Sequence, residues 1–143
     1  MRRLTAAETR AFLREGTRTA KVAITRRDGS PLVAPVWFAV DDDDSIVFNT
    51  HTDTAKARNL RRDGRVALCV DDQTPPFASV QVYGRAELSA DADEVRRWAT
   101  IIGGRYMGAD RAEEFGRRNG GPGELLVRIR PERTIAVADV AGY

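Results

Sequence analysis

The sequence predicts an antiparallel β-barrel with helices packed against it, and three observations carry that prediction. Roughly seven short segments alternate or run apolar over strand lengths. Most links between them are of hairpin length. A few amphipathic stretches interrupt them, without the regular strand and helix alternation of a parallel sheet. At 143 residues, 42% apolar and 31% charged, the chain is expected to fold as a single domain spanning residues 1–143. No apolar run approaches the roughly 18 residues of a membrane span. Met1-Arg2-Arg3-Leu4 leads directly into polar residues, so no secretory signal is expected and the expected location is cytoplasmic.

The elements can be justified in order. Thr5-Ala6-Ala7-Glu8 has capping-box spacing and predicts a helix ending near Gly16. Ala20 to Thr25 alternates as a half-buried strand, Asp28-Gly29 marks a hairpin, and Leu32 to Val40 returns as the partner, with Pro31 and Pro35 favouring an edge position or a strand that is irregular there. Asp41 to Asp44 lacks the spaced ligands of a calcium loop and reads as a solvated turn. A third strand covers Ser45 to Thr50, and a short helix runs from Asp53 to Arg62 before Asp63-Gly64 breaks it. Arg65 to Val70 and Phe77 to Leu88 are strands around a loop from Asp72 to Pro76. Asp91 and Glu94 open a helix to about Gly103, Asp110 caps another from Arg111 to Arg118, and Asn119 to Gly123 stops it. Glu124 to Arg130 and Arg133 to Val140 read as two closing strands.

Composition narrows the function classes. A net charge of +2 is too small for a nucleic-acid binder held by bulk charge. Arg58, Arg61, Arg62 and Arg65 spread around a helix and into a strand rather than forming one stripe, so no nucleic-acid partner is expected. The single cysteine, Cys69, lies in an apolar run and is expected to be a buried structural thiol. With one histidine, His51, there is no basis for a histidine metal site, and an exposed loop histidine beside a ligand is favoured over a catalytic base. Gly103-Gly104 and Gly120-Gly121 lack phosphate-loop spacing.

The most informative segment runs from Asn49 to Arg62: a strand end, a hydroxyl-rich turn with Thr50, Thr52 and Thr54, and the start of a basic helix carrying Lys56 and Arg58. N–H groups at a helix start have no intrahelical partner and favour an anion. Of the 23 basic residues only Lys21 and Lys56 are lysines, so a compact point charge stands where arginine is the habit. The segment reads either as a phosphate site or as a threonine-capped surface helix.

The motifs Asp28-Gly29-Ser30-Pro31, Ala34-Pro35-Val36-Trp37-Phe38, Ile46-Val47-Phe48-Asn49-Thr50, Ala55-Lys56-Ala57-Arg58-Asn59-Leu60, Arg65-Val66-Ala67-Leu68 and Val82-Tyr83-Gly84-Arg85-Ala86 resemble, in this order, the flavin- and deazaflavin-binding split barrels of the pyridoxamine-phosphate-oxidase-like superfamily. Within it the chain is most similar to the deazaflavin (coenzyme F-420) dependent oxidoreductases of high-GC bacteria, with Arg105-Tyr106-Met107-Gly108 and Glu124 to Ile129 similar to one branch. The resemblance implies an antiparallel split β-barrel, mainly β with flanking helices, forming a homodimer with cofactor sites at the interface. It implies that Lys56 holds the cofactor phosphate with Thr54, Ala55 and Arg58 around it, that Val36 and Trp37 belong to the strand whose backbone lies against the ring, and that Asn49 and Thr50 close the ring site. Ser79 and Gln81 would come from the other subunit. Trp37 can equally be strand core. Thr54 stands where some relatives have arginine, and Ala39 or a neighbour where the FMN oxidases have a second lysine.

The implied function is hydride transfer from reduced coenzyme F-420 to an activated double bond of a small-molecule substrate, the cofactor doing the chemistry and the protein positioning it. The alternatives are an FMN-dependent oxidoreductase and a non-catalytic flavin or haem carrier. No protein nucleophile is required, and the proton that completes the reduction can come from solvent or from Tyr83, Tyr106 or His51, among which the sequence does not choose.

Overall fold

A computed structural model describes residues 1–142. The elements are β1 (Arg2–Arg3), α1 (Ala6–Arg14), β2 (Ala20–Thr25), β3 (Pro31–Val36), β4 (Ala39–Val40), β5 (Ile46–His51), α2 (Ala55–Arg62), β6 (Arg65–Asp72), β7 (Ala78–Ser89), α3 (Ala92–Met107), a 3-10 turn (Ala109–Arg111), α4 (Ala112–Asn119) and β8 (Glu124–Ala138). The strands pair antiparallel in the order β3-β2-β6-β7-β8-β5-β4, with β1 on the far end of β8. This is the expected mainly antiparallel split barrel with flanking helices.

The two ends of that strand order, β3 and β4, are joined in sequence by Trp37 and Phe38 alone. The strand expected from Leu32 to Val40 therefore breaks at these two residues. Its first half pairs with β2 and its second with β5. Alternation of apolar residues continues through the break, because Phe38 still points into the core and is fully buried. The pattern thus shows the face but not the change of partner.

The barrel interior holds Val22, Phe38, Ile46, Phe48, Val70, Val80, Val82, Val127 and Ile129, closed on one side by Phe12 and Leu13 of α1. The capping box of α1 is present, with Glu8 N–H donating to the Thr5 hydroxyl and Thr5 N–H to the Glu8 carboxylate. A second cluster outside the barrel packs Val47 and Leu126 against Val95, Trp98 and Ile102 of α3. Covering both faces explains why β5 and the start of β8 read as continuous apolar runs, Ile46 to Phe48 and Leu125 to Val127, rather than alternating.

The expected last two strands are one. β8 pairs with β7 from Ser79 to Ser89, and Pro131-Glu132, the gap between the two expected strands, is a bulge where the register shifts between Tyr83 and Gly84. Gly84 is required there, since a Cβ would meet the Arg130 carbonyl oxygen. α3 continues past Gly103 to Met107, and Gly103 lets α4 approach so closely that a Cβ would meet that of Phe115. The pair β1 and β8 left no readable signal in two exposed arginines.

The acidic run Asp41 to Asp44 is a turn, as expected, with Asp44 in the left-handed region at φ 68°, but it is not merely solvated. Arg128, only 14% exposed, donates to Asp41 at 2.8 Å, to Ser45 Oγ at 2.6 Å and to Glu94 at 3.2 Å. Arg130 reaches Asp43 at 3.1 Å. Through these contacts β8 ties the β4–β5 turn to the first turn of α3. The Ser45 hydroxyl and N–H, with Arg130 and Arg128, lower Asp43 from 3.8 to about 2. Burial alone would raise Asp41, but the Arg128 guanidinium and the Asp42 N–H outweigh it and hold it below the usual range.

Carboxylates with depressed folded-state values contribute stability above the unfolded-state pKa, and that contribution is lost as the pH falls through the folded-state value. The melting temperature should accordingly hold down to about pH 4 and fall toward pH 2. Arg128→Met, which strands the half-buried Asp41 and Glu94, should cost roughly 2 to 3 kcal/mol at neutral pH and flatten the acid limb. Equal acid limbs in denaturant titrations of parent and variant would show that this network does not set acid stability.

Candidate functional site

A cavity of about 620 Å³ opens between Pro35, Val36 and Trp37 at the end of β3, Asn49, Thr50 and His51 at the end of β5, and Lys56 in the first turn of α2, with α3, α4 and Glu124 closing its other side. A larger hollow, about 780 Å³, lies against α1 and β8. None of the sequence-predicted site residues borders it, and its Arg10 is paired with Asp44 at 3.5 Å.

α2 begins where β5 runs out, and the junction is held by hydroxyls. Thr54 is the N-cap: its Oγ accepts from Ala57 N–H, lies 2.8 Å from the Thr50 hydroxyl and donates to the His51 carbonyl at 2.9 Å. Arg58 N–H donates to the Thr54 carbonyl, while the N–H groups of Ala55 and Lys56 meet no acceptor among the described residues. α1, α3 and α4 carry acidic side chains in their first turns, but α2 carries none. The nearest acidic residue in sequence, Asp53, lies just before the cap.

Five of the predicted site residues meet in the cavity wall: Val36, Trp37, Asn49, Thr50 and Lys56. Thr54 and Ala55 build the helix start behind Lys56, and the Arg58 guanidinium turns back to the Asp53 carbonyl. Ser79 and Gln81 lie elsewhere, on the outer face of β7. Gln81 Oε1 accepts there from the Tyr83 hydroxyl at 3.1 Å. Cys69, expected to be buried, is half-buried on the same outer face opposite Gln81, and burial pushes its thiol up, away from reactivity.

The wall combines a flat aromatic surface with unpaired charge. Trp37 stacks on Tyr106 with ring centroids 5.1 Å apart and planes 3° from parallel, and Phe115 is tilted against it at 5.7 Å. Lys56 and Arg118 border the cavity from different helices, and among the described residues neither has a carboxylate within 4.0 Å. Asn49 Nδ2 donates to the Val95 carbonyl at 3.2 Å, and its Oδ1 is buried without a partner. Flipping the amide would set Oδ1 against that carbonyl, so the orphan acceptor is fixed by geometry. Among the described residues it is left without a hydrogen bond.

Of the three candidate proton donors, only His51 borders the cavity. Its Nδ1 accepts from Asp53 N–H at 3.2 Å, so the neutral ring carries its proton on Nε2. Tyr83 faces outward, and the Tyr106 hydroxyl is committed to backbone groups. Burial pushes the Glu124 carboxyl above its ordinary range while His51 pulls it down. Arg118, Phe115 and Glu124 were not anticipated. α4 and the start of β8 reach the cavity only through tertiary packing, and the one sequence signal was the Gly-Pro-Gly turn that delivers Glu124.

The profile of the pyridoxamine 5'-phosphate oxidase family matches residues 5–138. Among solved structures, a conserved hypothetical protein of Mycobacterium tuberculosis is 28% identical at a TM-score of 0.85, with 95% of this chain and 86% of that one covered. An F420 reductase is 26% identical at 0.67, covering 85% and 92%. An FAD-binding protein of Mesorhizobium loti, 21% identical at 0.68 and covering 94% and 95%, shares the fold. No curated protein matches the chain in sequence.

Among the described residues Lys56 and Arg118 form no ion pair, so Lys56→Ala and Arg118→Ala should each leave the ligand-free stability within about 0.5 kcal/mol of the parent. Calorimetry checks this, and a large loss in either variant would assign that cation a structural task.

Proposed function

Because the chain belongs to the pyridoxamine 5'-phosphate oxidase family of flavin-binding split barrels, we propose that its cavity holds reduced coenzyme F-420 and serves to reduce an activated double bond of a small organic molecule. The observation that carries this reading is the pairing of two cations that have no carboxylate partner among the described residues with an orphaned buried acceptor, beside one flat aromatic wall. Such a wall suits a fused ring, Asn49 Oδ1 suits a ring N–H, and Lys56 at the start of α2 suits a phosphate. Similarity to an F420 reductase at 26% identity favours the deazaflavin over FMN. So do Thr54, spent here on capping α2, and the absence of a lysine at Ala39.

When bound, such a cofactor supplies the electron pair as a hydride. The protein's own residues then bind and orient. Lys56 and Arg118 hold the anionic tail from two sides, Asn49 fixes the ring edge, Val36 and Trp37 limit how far the ring can tilt, and Ile102, Met107 and Phe115 exclude water. His51 borders the cavity and in its neutral form holds a proton at Nε2, the nitrogen beside Gly123. FMN turnover and cofactor carriage without turnover are the competing readings. Absorbance titrations with coenzyme F-420, FMN and haem separate them, with F-420 expected to bind at least roughly tenfold more tightly than FMN. Lys56→Ala should weaken F-420 binding by about 1.5 to 3 kcal/mol. Tight binding with no reduction of quinones or enones would leave the carrier reading. Unchanged affinity in the variant would remove Lys56 from the phosphate site.

We further propose that a second copy of the chain covers the outer face of β2, β3, β6 and β7. Val33 is 69% exposed there and Tyr83 42%, with Ala23, Ala67 and Cys69 between them. A sheet face with this much exposed apolar surface suits a symmetric partner, and it would bring Ser79 and Gln81 to the partner's cavity. Light scattering should report a dimer, and Val33→Arg should give a monomer with weakened cofactor binding. A monomer that binds at full affinity would take Ser79 and Gln81 out of the site.

A further inference from the structure

The break between β3 and β4 poses a hydrogen-bonding problem. Phe38 is fully buried, yet it lies outside both strands, so neither ladder serves its N–H and C=O. Buried backbone groups without partners are costly. Two adjacent residues near the end of α3 serve both. Phe38 N–H donates to the Tyr106 hydroxyl at 3.3 Å, and that hydroxyl donates onward to the Arg18 carbonyl at 2.7 Å. Arg105 Nη1 donates to the Phe38 carbonyl at 2.9 Å, Nη2 to the Leu13 carbonyl at 2.8 Å and Nε to the Gly16 carbonyl at 3.0 Å.

Arg105 is a half-buried guanidinium, and among the described residues it has no carboxylate partner. Its charge rests on carbonyls at the C-terminal, negative end of α1 and on the faces of Phe38 and Tyr106, at 4.5 and 5.2 Å. The three carbonyls are met by three different nitrogens of one planar fork, a spread that the single ammonium nitrogen of a lysine does not span. Tyr106 has a second task, since its ring is the one on which Trp37 stacks. Burial raises the phenol above its ordinary value against the opposing pull of Phe38 N–H and Arg105, so it stays protonated and a donor.

We propose that Arg105 and Tyr106 are positioning residues that clamp the Phe38 peptide and so set the angle at which Trp37 stands in the cavity wall. Neither touches the space where a ligand would lie; they act through Phe38 and Trp37. The proposal rests on the reading of the cavity as a flavin-type site only for its consequence in binding. The geometry of Trp37 itself can be tested without any cofactor.

The test uses the full chain carrying 5-fluorotryptophan, with the Trp37 fluorine resonance assigned by its loss in Trp37→Phe and Trp98 as internal reference. Tyr106→Phe keeps the stacked ring and deletes only the hydroxyl; Arg105→Met deletes the fork, and Arg105→Lys restores the charge with one donor site. In Tyr106→Phe and Arg105→Met, the Trp37 resonance should shift or broaden while that of Trp98 stays. Coenzyme F-420 affinity should fall by roughly tenfold, the loss expected for a well-made hydrogen bond acting on the ring face, and Arg105→Lys should recover part of both effects. An unmoved Trp37 resonance in the folded variants overturns the proposal.

Hydrogen exchange on the parent protein keeps it falsifiable if the variants do not fold. The Phe38 amide should be protected like the strand amides beside it, and exchange at the rate of an open loop would overturn the clamp. If the parent binds neither F-420 nor FMN, the functional reading fails while the fluorine and exchange measurements still decide this one.

Discussion

The fold depends on a join only two residues long. Trp37 and Phe38 connect the two ends of the sheet, so the barrel closes through the covalent chain and not through a last row of hydrogen bonds. That choice exposes backbone polar groups in the interior, and α3 resolves it by supplying a hydroxyl and a guanidinium from side chains adjacent in sequence. The join also places the cavity. Pro35 to Trp37 form its rim because the chain must turn out of β3 there, and β5, which receives the second half of the segment, presents Asn49 to His51 across from it.

Arginine and lysine divide the work in this chain. Arginine is used where one group must satisfy several acceptors: Arg128 among two carboxylates and a hydroxyl, Arg105 among three carbonyls, Arg18 between a helix end and Asp72. Lysine appears twice. Lys21 pairs with Asp71 at 2.8 Å on the outer sheet face, and Lys56 stands at a helix start without an ion-pair partner among the described residues. The rarity of lysine was visible in the sequence. What made Lys56 informative, the absence of any acidic side chain in the first turn of α2, was visible there too.

Local chemistry was the part of the fold that could be read directly. The Thr5 and Glu8 box, the Asp28-Gly29 hairpin and the threonine cap of α2 each act within a few residues, and each is where the pattern placed it. The misreadings share a cause: they concern what a segment packs against. Leu32 to Val40 changes partner without changing face; Pro131-Glu132 is the gap between two expected strands but sits opposite Gly84, which has no side chain to keep the bulge away; Gly103 ends nothing because Phe115 fills the space it leaves. The site divides in the same way. Val36, Trp37, Asn49, Thr50 and Lys56 come from segments close in sequence. Arg118, Phe115 and Glu124 arrive from the far end of the chain through helix packing, and no local pattern encodes that.

The prolines of β3 limit what a free sheet edge can accept. β3 pairs only with β2, so one side of it is a free edge of the kind on which foreign strands can assemble. In an antiparallel strand, residues 31, 33 and 35 send their amide positions the same way, and since the ladder to β2 runs the length of β3, the positions occupied by proline belong to the outward side. Pro31 and Pro35 leave Val33 as the one amide of that row able to bond a newcomer. A foreign strand would find too few donors to register against, so the barrel can keep an open lip beside its cavity without that lip becoming a template for fibrillar growth.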